Sequence, residues 1–163
     1  MAIETKVGAY LCTGCGIGEA VDGAALQKVV TGELKIPICK THPKLCLPEG
    51  IRMIQDDVAA ENLNRVIIAG CSFRTKSVEF QFGDKVLTDR VALREHVAWV
   101  LEPLHEDTQA AAEDYLRMSA AKVRNCEPPE ALIEEINRTV LIIGGGKTGM
   151  TAALAAAAVG SDV

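Results

Sequence analysis

Arg65-Val66-Ile67-Ile68-Ala69-Gly70-Cys71 is the stretch that decides the fold, because an unbroken apolar run leads into a glycine and a cysteine. Such runs are typical of strands that are buried on both faces of a parallel sheet. Short strands are also predicted at 7–11, 34–38 and 86–91, and helical patterns lie at 22–30, from Pro48 onward, at 92–101 and at 107–124. This alternation predicts an α/β fold, a three-layer domain built on a parallel sheet.

Cysteines follow the ends of the predicted strands. Cys12 and Cys15 follow the first strand, Cys39 and Cys46 the second, and Cys71 the third. Because parallel strands share one carboxyl edge, where ligands bind in such sheets, we expect these thiols to converge there. The sequence therefore predicts one cysteine-rich site assembled from distant segments.

Three kinds of site fit these cysteines. Four thiolates hold either zinc or an iron–sulfur cluster. Structural zinc usually takes two close cysteine pairs, and only Cys12 and Cys15 form one, so the spacing favours the larger [4Fe–4S] cluster. A zinc-stabilised docking module is the second hypothesis. A thioredoxin-like thiol–disulfide domain is the third, but it leaves Cys46 and Cys71 without a role.

Residues beside the cysteines add weaker signals. Gly14, Gly16 and Gly18 allow backbone amides to approach the sulfurs, which tunes a cluster's reduction potential. Basic residues near the cysteines either offset cluster charge, meet an acidic partner or form an ordinary solvated surface; they are Lys40, His42, Lys44, Arg74 and Lys76. Cys126 is expected to be an inert buried thiol. No catalytic residue is predicted, because His42, His96 and His105 show no partnered arrangement.

A glycine-rich turn follows another apolar run, at 139–143. Gly144, Gly146 and Gly149 are succeeded by Ala153, Ala157 and Gly160, the spacing of a dinucleotide-binding strand–turn–helix. Its second strand and acidic ribose ligand, expected ~20 residues further on, lie beyond residue 163. We therefore expect an incomplete site, which binds flavin weakly or not at all by itself.

Composition excludes several classes of protein. The 163 residues are 48% hydrophobic and 24% charged, with a net charge of −5 that argues against nucleic-acid binding. The apolar run 151–159 is shorter than the ~20 residues of a membrane span. Glu4 and Lys6 interrupt any secretory leader, so a cytoplasmic location is expected. Six cysteines in that reducing compartment favour metal ligation or redox chemistry.

Ordered motifs extend along nearly the whole chain. They are VGAYLCTGCGIGEAVD, ICKTHPKLCLPEG, VIIAGCSFR, DRVALREHVAW, EDYLRMSAAKVR and LIIGGGKTGMTAAL. Together they resemble the amino-terminal region of proteins like the A subunit of heterodisulfide reductase. Within that group the chain is most similar to the FAD/iron–sulfur subunit of quinone-interacting membrane-bound oxidoreductase.

The resemblance implies a specific set of ligands and cofactors. The family's cluster cysteines match Cys12, Cys15, Cys46 and Cys71, with Cys39 as the substitute for the fourth ligand, while Val97 stands where many relatives have a cysteine. It also implies an FAD contact through the loop Gly144, Gly145, Gly146, Lys147, Thr148 and Gly149. Partners would be other iron–sulfur and flavin subunits of an electron-transfer complex, and the chain alone would show no turnover.

The expected organisation has three parts. Residues 1–125 form the iron–sulfur cluster-binding α/β domain, with its cluster at the carboxyl edge of the sheet. Residues 126–137, with a proline pair and four acidic residues, form a linker. Residues 138–163 are the truncated start of an FAD-binding Rossmann-type domain.

Overall fold

A computed structural model describes residues 4–128, 132–135 and 137–163. The chain divides into two compact units, Met1–Pro128 and Pro129–Val163. The linker predicted at 126–137 falls at their boundary, and its residues 129–131 and 136 lie outside the described residues.

Four parallel strands form the sheet of the first unit. They are β1 (Val7–Cys12), β2 (Ile38–His42), β3 (Arg65–Ala69) and β4 (Leu87–Val91). Their order across the sheet is β2-β1-β3-β4, and every neighbouring pair is parallel. The predicted α/β fold with a parallel sheet is confirmed.

Helices cover both faces of this sheet. The first unit contains α1 (Ile17–Ala20), α2 (Gly23–Lys28), α3 (Pro48–Ala60) and α4 (Glu106–Asn125), with π-helical turns at Val29–Glu33 and Arg94–Ala98. Pro48 opens α3 in its first turn, where its missing N–H costs nothing. Asp22 caps α2 by accepting hydrogen bonds from the backbone N–H groups of Ala24 and Ala25.

Alternate residues of β3 enter two separate hydrophobic cores. Val66 and Ile68 pack in the core that includes Ile54 of α3. Ile67 points to the opposite face, into the core that includes Leu116 of α4. All of these side chains are almost fully buried, so the sheet is the middle layer of three.

The second strand begins four residues later than its predicted position at 34–38. Leu34 and Ile36 donate their backbone N–H groups to Val29 and Val30, so these residues close the preceding π-helical turn instead of pairing with β1. Lys35 adopts a left-handed φ of 53° there, and Pro37 directly precedes the strand. The prediction was wrong, and its correction places Cys39 inside β2 rather than after it.

Two predicted helices are also shorter than expected. The helix at 22–30 divides into α2 and the π-helical turn that follows it, and the helix at 92–101 reduces to the π-helical turn Arg94–Ala98. The helix predicted at 107–124 is confirmed as α4.

Among its described residues, the second unit contains one helix, α5 (Lys147–Ala158), as the glycine pattern predicts. The apolar segment 139–143 is not a strand, because no described residue pairs with it as a sheet neighbour. A strand needs a ladder partner, and here only Val140 forms a comparable contact, by donating its N–H to the Asp162 carbonyl at 2.7 Å.

Candidate metal centre

A cavity of about 240 Å³ opens at the carboxyl edge of the sheet, between β1 and β3. This is where the chain changes winding direction, since β2 lies on one side of β1 while β3 and β4 lie on the other. Ligands of open α/β sheets bind at such a switch point. Four thiols line this cavity, those of Cys12, Cys15, Cys46 and Cys71.

The turn carrying Cys12 and Cys15 is pressed against the loop after β2. A Cβ on Gly14 would lie 2.0 Å from the Pro43 carbonyl oxygen, so only glycine fits there. Thr13 donates its N–H to the His42 carbonyl at 3.2 Å, which joins the two loops. Cys15 has a left-handed φ of 56°, a strained conformation of the kind that clusters at functional sites.

Cys46 lies in a tight turn between β2 and α3. His42 Nδ1 accepts the backbone N–H of Lys44 at 3.0 Å, which turns the chain just before this cysteine. A Cβ on Gly50, in the first turns of α3, would lie 2.6 Å from the Leu45 Cα. The close approach of helix and turn directs Cys46 to the cavity rather than to solvent.

Cys71 follows β3 after a single residue, Gly70, which lies against Cys12 at the end of β1. A Cβ on Gly70 would lie 3.1 Å from the Cys12 Cβ, so the glycine leaves room for that cysteine. Gly70 also donates its N–H to the Val91 carbonyl at 2.9 Å and accepts the N–H of Arg94 at 3.0 Å. Sheet pairing therefore fixes the backbone that carries Cys71.

The other two cysteines are outside the cavity lining. Cys39 is buried within β2 in the larger hydrophobic core, and burial raises the pKa of its thiol to about 11. Cys126 follows α4 and is half-buried. All six thiols are free, including those of Cys12 and Cys15.

Three cationic side chains approach the thiols. Arg90 of β4 donates from one guanidinium nitrogen to Cys71 Sγ at 3.1 Å. Arg94 lines the cavity; the pKa of its guanidinium is raised first by its hydrogen bond to Glu95 and also by one to Cys15. Lys76 lines the cavity too, and its pKa is raised chiefly by Glu79, with smaller contributions from Cys46 and Cys71. Arg94 and Lys76 are each paired with a carboxylate, Glu95 and Glu79, so Arg90 is the cation that reaches a thiol without an ion pair among the described residues.

The basic residues expected beside the cysteines occupy different surroundings. Lys40 pairs with Asp57 at 2.7 Å, and only Lys76 of that group lines the cavity. The glycine amides do not all serve the sulfurs, since Gly18 donates to the Thr13 carbonyl at 3.0 Å. Arg90 was not predicted, because its contact with Cys71 depends on the pairing of two strands that are distant in sequence.

The donor set fits a multi-atom anionic group. No three His, Cys, Asp or Glu side chains within the described residues already converge on an ion-sized point. The four thiols instead surround a cavity that Leu45, Ile68 and Phe80 line with apolar surface. Four cysteine ligands and a space larger than one ion suit an iron–sulfur cluster, whose reduction potential nearby charges would tune.

The glycine loop of the second unit has the close contact of a dinucleotide-binding turn. A Cβ on Gly149, in the first turn of α5, would lie 1.9 Å from the Gly144 carbonyl oxygen. Gly144 itself has a left-handed φ of 114°. Gly146 and Lys147 begin the helix, whose N-terminal N–H groups suit a phosphate. The glycine positions match those of a dinucleotide-binding turn, although the strand expected before it is not formed at 139–143.

No protein-family model matches the chain, but individual relatives do. The chain is 34% identical over 158 residues to the A subunit of the H(2):CoB-CoM heterodisulfide,ferredoxin reductase of Methanothermobacter marburgensis, and the match covers 93% of this chain and 24% of that protein. It is 32% identical over 166 residues to the A subunit of the ferredoxin:CoB-CoM heterodisulfide reductase of Methanosarcina mazei, covering 97% and 21%.

The chain matches the family of heterodisulfide reductase A subunits over 93–98% of its own length. A further relative, the second iron-sulfur A subunit of the CoB–CoM heterodisulfide reductase of Methanopyrus kandleri, is 30% identical over 171 residues, covering 98% of the chain and 26% of that protein. The chain thus spans about a quarter of the length of these heterodisulfide reductase subunits. No helix in the described part of the chain is long and apolar enough to cross a membrane.

Proposed function

We propose that the first unit is the electron-relay module of a heterodisulfide reductase-like oxidoreductase subunit. Cys12, Cys15, Cys46 and Cys71 would hold one [4Fe–4S] cluster. The observation that carries this proposal is that these four thiols, from three loops, line one cavity at the switch point of the sheet. When bound, such a cluster supplies storage of a single electron between partners.

The chain's own residues have separate tasks in this proposal. The cysteines bind the metal as thiolates, and the glycines at 14 and 70 allow the cysteine-bearing loops to approach each other. Leu45, Ile68 and Phe80 exclude water from the inner wall. Beside this apolar wall, nearby charges such as that of Arg90 would act more strongly on a cluster than they would in water.

The cavity supports a cluster over a single zinc ion. Zinc draws four sulfurs to within ~2.3 Å of one point, which leaves no space between them. Here the four thiols lie along a cavity of about 240 Å³ that nine other residues also line, and the sequence contains only one close cysteine pair. A disulfide role for Cys12 and Cys15 is less well supported, because Cys46 and Cys71 share the same cavity.

The finer assignments extend the same proposal. The loop Gly144–Gly149 would contact the pyrophosphate of FAD, with the remainder of that site supplied from outside these residues. Partners would be other iron–sulfur and flavin subunits of a cytoplasmic complex, and the chain alone would show no turnover. The closer resemblance to quinone-interacting membrane-bound oxidoreductase remains a prediction.

Anaerobic purification of the full chain tests the proposal. We expect brown protein with about four iron and four sulfide per chain, bleached by dithionite with appearance of an electron paramagnetic resonance signal. Colourless protein with one zinc would support the docking module instead. Metal-free protein with an oxidisable Cys12–Cys15 pair would support the thiol–disulfide domain, and either result would contradict the electron relay.

A further inference from the structure

Arg90 is a partly buried cation without a carboxylate partner. No carboxylate oxygen in the residues described lies within ion-pair distance of its guanidinium. The nearby Glu95 is already engaged, because Oε1 accepts from Arg94 at 2.7 Å and Oε2 accepts from the Ser72 N–H at 2.8 Å. A partly buried charge with no carboxylate within ion-pair distance favours an anionic group beside it, and the Cys71 sulfur is the ionisable group that this guanidinium contacts.

The guanidinium is instead directed at the cysteine loop. One nitrogen donates to the Cys71 carbonyl at 2.9 Å, to Cys71 Sγ at 3.1 Å and to the Ser72 carbonyl at 3.2 Å. Longer contacts reach the carbonyls of Thr75 and Lys76, both at 3.4 Å. Arg90 therefore donates hydrogen bonds to four residues of the segment that begins at Cys71.

Two packing features fix the position of this cation. The guanidinium carbon lies 4.2 Å from the centroid of the Phe80 ring, a cation–π distance. Strand register sets Arg90 opposite Ile68, which lines the same cavity as Cys71. Arg90 Nε is buried and has no hydrogen-bond partner among the described atoms. The hydrogen bonds of this side chain therefore all come from its two terminal nitrogens.

We propose that Arg90 is a positioning residue that supplies the fixed counter-charge for the group bound at Cys71 and raises its reduction potential. The inference rests on the proposed iron–sulfur function. One-electron reduction adds one negative charge to the site, so a cation that donates to a ligand sulfur stabilises the reduced form more than the oxidised form. Removing that cation shifts the equilibrium towards the oxidised form.

The test is a redox titration of the full chain loaded with its cluster, followed by electron paramagnetic resonance. Arg90→Gln removes the charge, and we expect about a tenfold shift of the equilibrium, which is ~59 mV to more negative potential for one electron. Arg90→Lys keeps the charge but not the fork, and it should stay within about twofold of the wild type. Arg52→Gln is the control, because Arg52 is an exposed arginine of α3 beside a different cleft.

The outcomes separate this inference from the function on which it rests. Wild-type protein without iron and sulfide overturns both. If Arg90→Gln protein binds the cluster but its reduction potential is unchanged, the role of Arg90 is overturned and the proposed function stands. The same holds if Arg90→Lys shifts the reduction potential as much as Arg90→Gln does.

A second uncharged variant, Arg90→Met, keeps the test possible if Arg90→Gln does not fold. If Arg90→Gln does not fold by circular dichroism, Arg90→Met preserves packing on Phe80 and takes its place. Loss of iron from folded neutral variants but not from Arg90→Lys supports the counter-charge. Loss of iron from folded Arg90→Lys as well shows that the fork, not the charge, is required, and overturns the proposal.

Discussion

Gly14→Ala is predicted to separate the two loops that bring Cys12, Cys15 and Cys46 to one cavity. The new Cβ would lie 2.0 Å from the Pro43 carbonyl oxygen, a backbone atom that cannot rotate away. Contacts shorter than 3.0 Å are essentially not found for real Cβ atoms, so the loops must part by about 1 Å.

The energetic cost follows from this displacement. Forcing extra atoms into a packed site costs about 1–3 kcal/mol, and weakening the hydrogen bond from the Thr13 N–H to the His42 carbonyl adds about 1 kcal/mol. Alanine also restricts the unfolded chain, which returns about 0.4–1 kcal/mol. We expect a net loss of about 1–3.6 kcal/mol in the free energy of unfolding, and Tm should fall by about 2–4 °C for each kcal/mol.

Urea and thermal unfolding of the metal-free protein measure this effect, with Gly32→Ala as the matched control. Gly32 lies in a π-helical turn, has no positive φ and has nothing within 4 Å of a new Cβ. That variant should be as stable as the wild type or slightly more stable. The reasoning is refuted if Gly14→Ala unfolds at the same urea concentration as Gly32→Ala.

Three further predictions address the core, the buried thiol and the glycine loop. Ile54→Ala should lower the free energy of unfolding by about 2–5 kcal/mol in urea titrations, since Ile54 is fully buried under the sheet; a loss below about 1 kcal/mol would contradict this packing. Burial raises the pKa of the Cys39 thiol from 9.0 to about 11, so this thiol ionises at lower pH in the unfolded chain than in the folded one. The contribution of the buried neutral thiol to the free energy of unfolding is therefore complete below pH 9 and is lost as the pH rises towards 11. Urea midpoints of Cys39→Ala should therefore decline less over that range than those of the wild type, and parallel declines would refute this. Gly149→Ala should shift the NMR amide signal of Gly144, five residues away, because its Cβ would clash with the Gly144 carbonyl, whereas Gly145→Ala, with open space, should shift only the signals of its immediate neighbours; an unchanged loop in Gly149→Ala would refute the close contact.

Periodicity and apolar runs predicted the layers of the fold because each strand or helix carries its own local signal. The run around Ile67 identified β3, and the proline at 48 identified the start of α3. The position of the second strand was predicted wrongly because its sequence, ICKTH, is mostly polar and carries no apolar run. A polar strand suits the edge of the sheet, where β2 lies. Its apolar neighbour Ile36 was mistaken for strand when it serves to close the π-helical turn.

The site was predictable in its cysteines but not in its electrostatics. Strand ends are visible in sequence, so the convergence of thiols on one edge follows from the parallel topology. The contact between Arg90 and Cys71 depends instead on the pairing of β3 with β4, which brings together residues 19 positions apart. Local spacing carries no signal for such a contact.

The most direct test of the proposed ligand set is iron content after anaerobic cluster loading of Cys46→Ala and Cys39→Ala. Cys46 lines the cavity, whereas Cys39 is buried in the core beside β1. We predict that Cys46→Ala loses the cluster and that Cys39→Ala retains iron and sulfide at the wild-type level. Loss of the cluster from Cys39→Ala alone would contradict the four-thiol site proposed at the switch point.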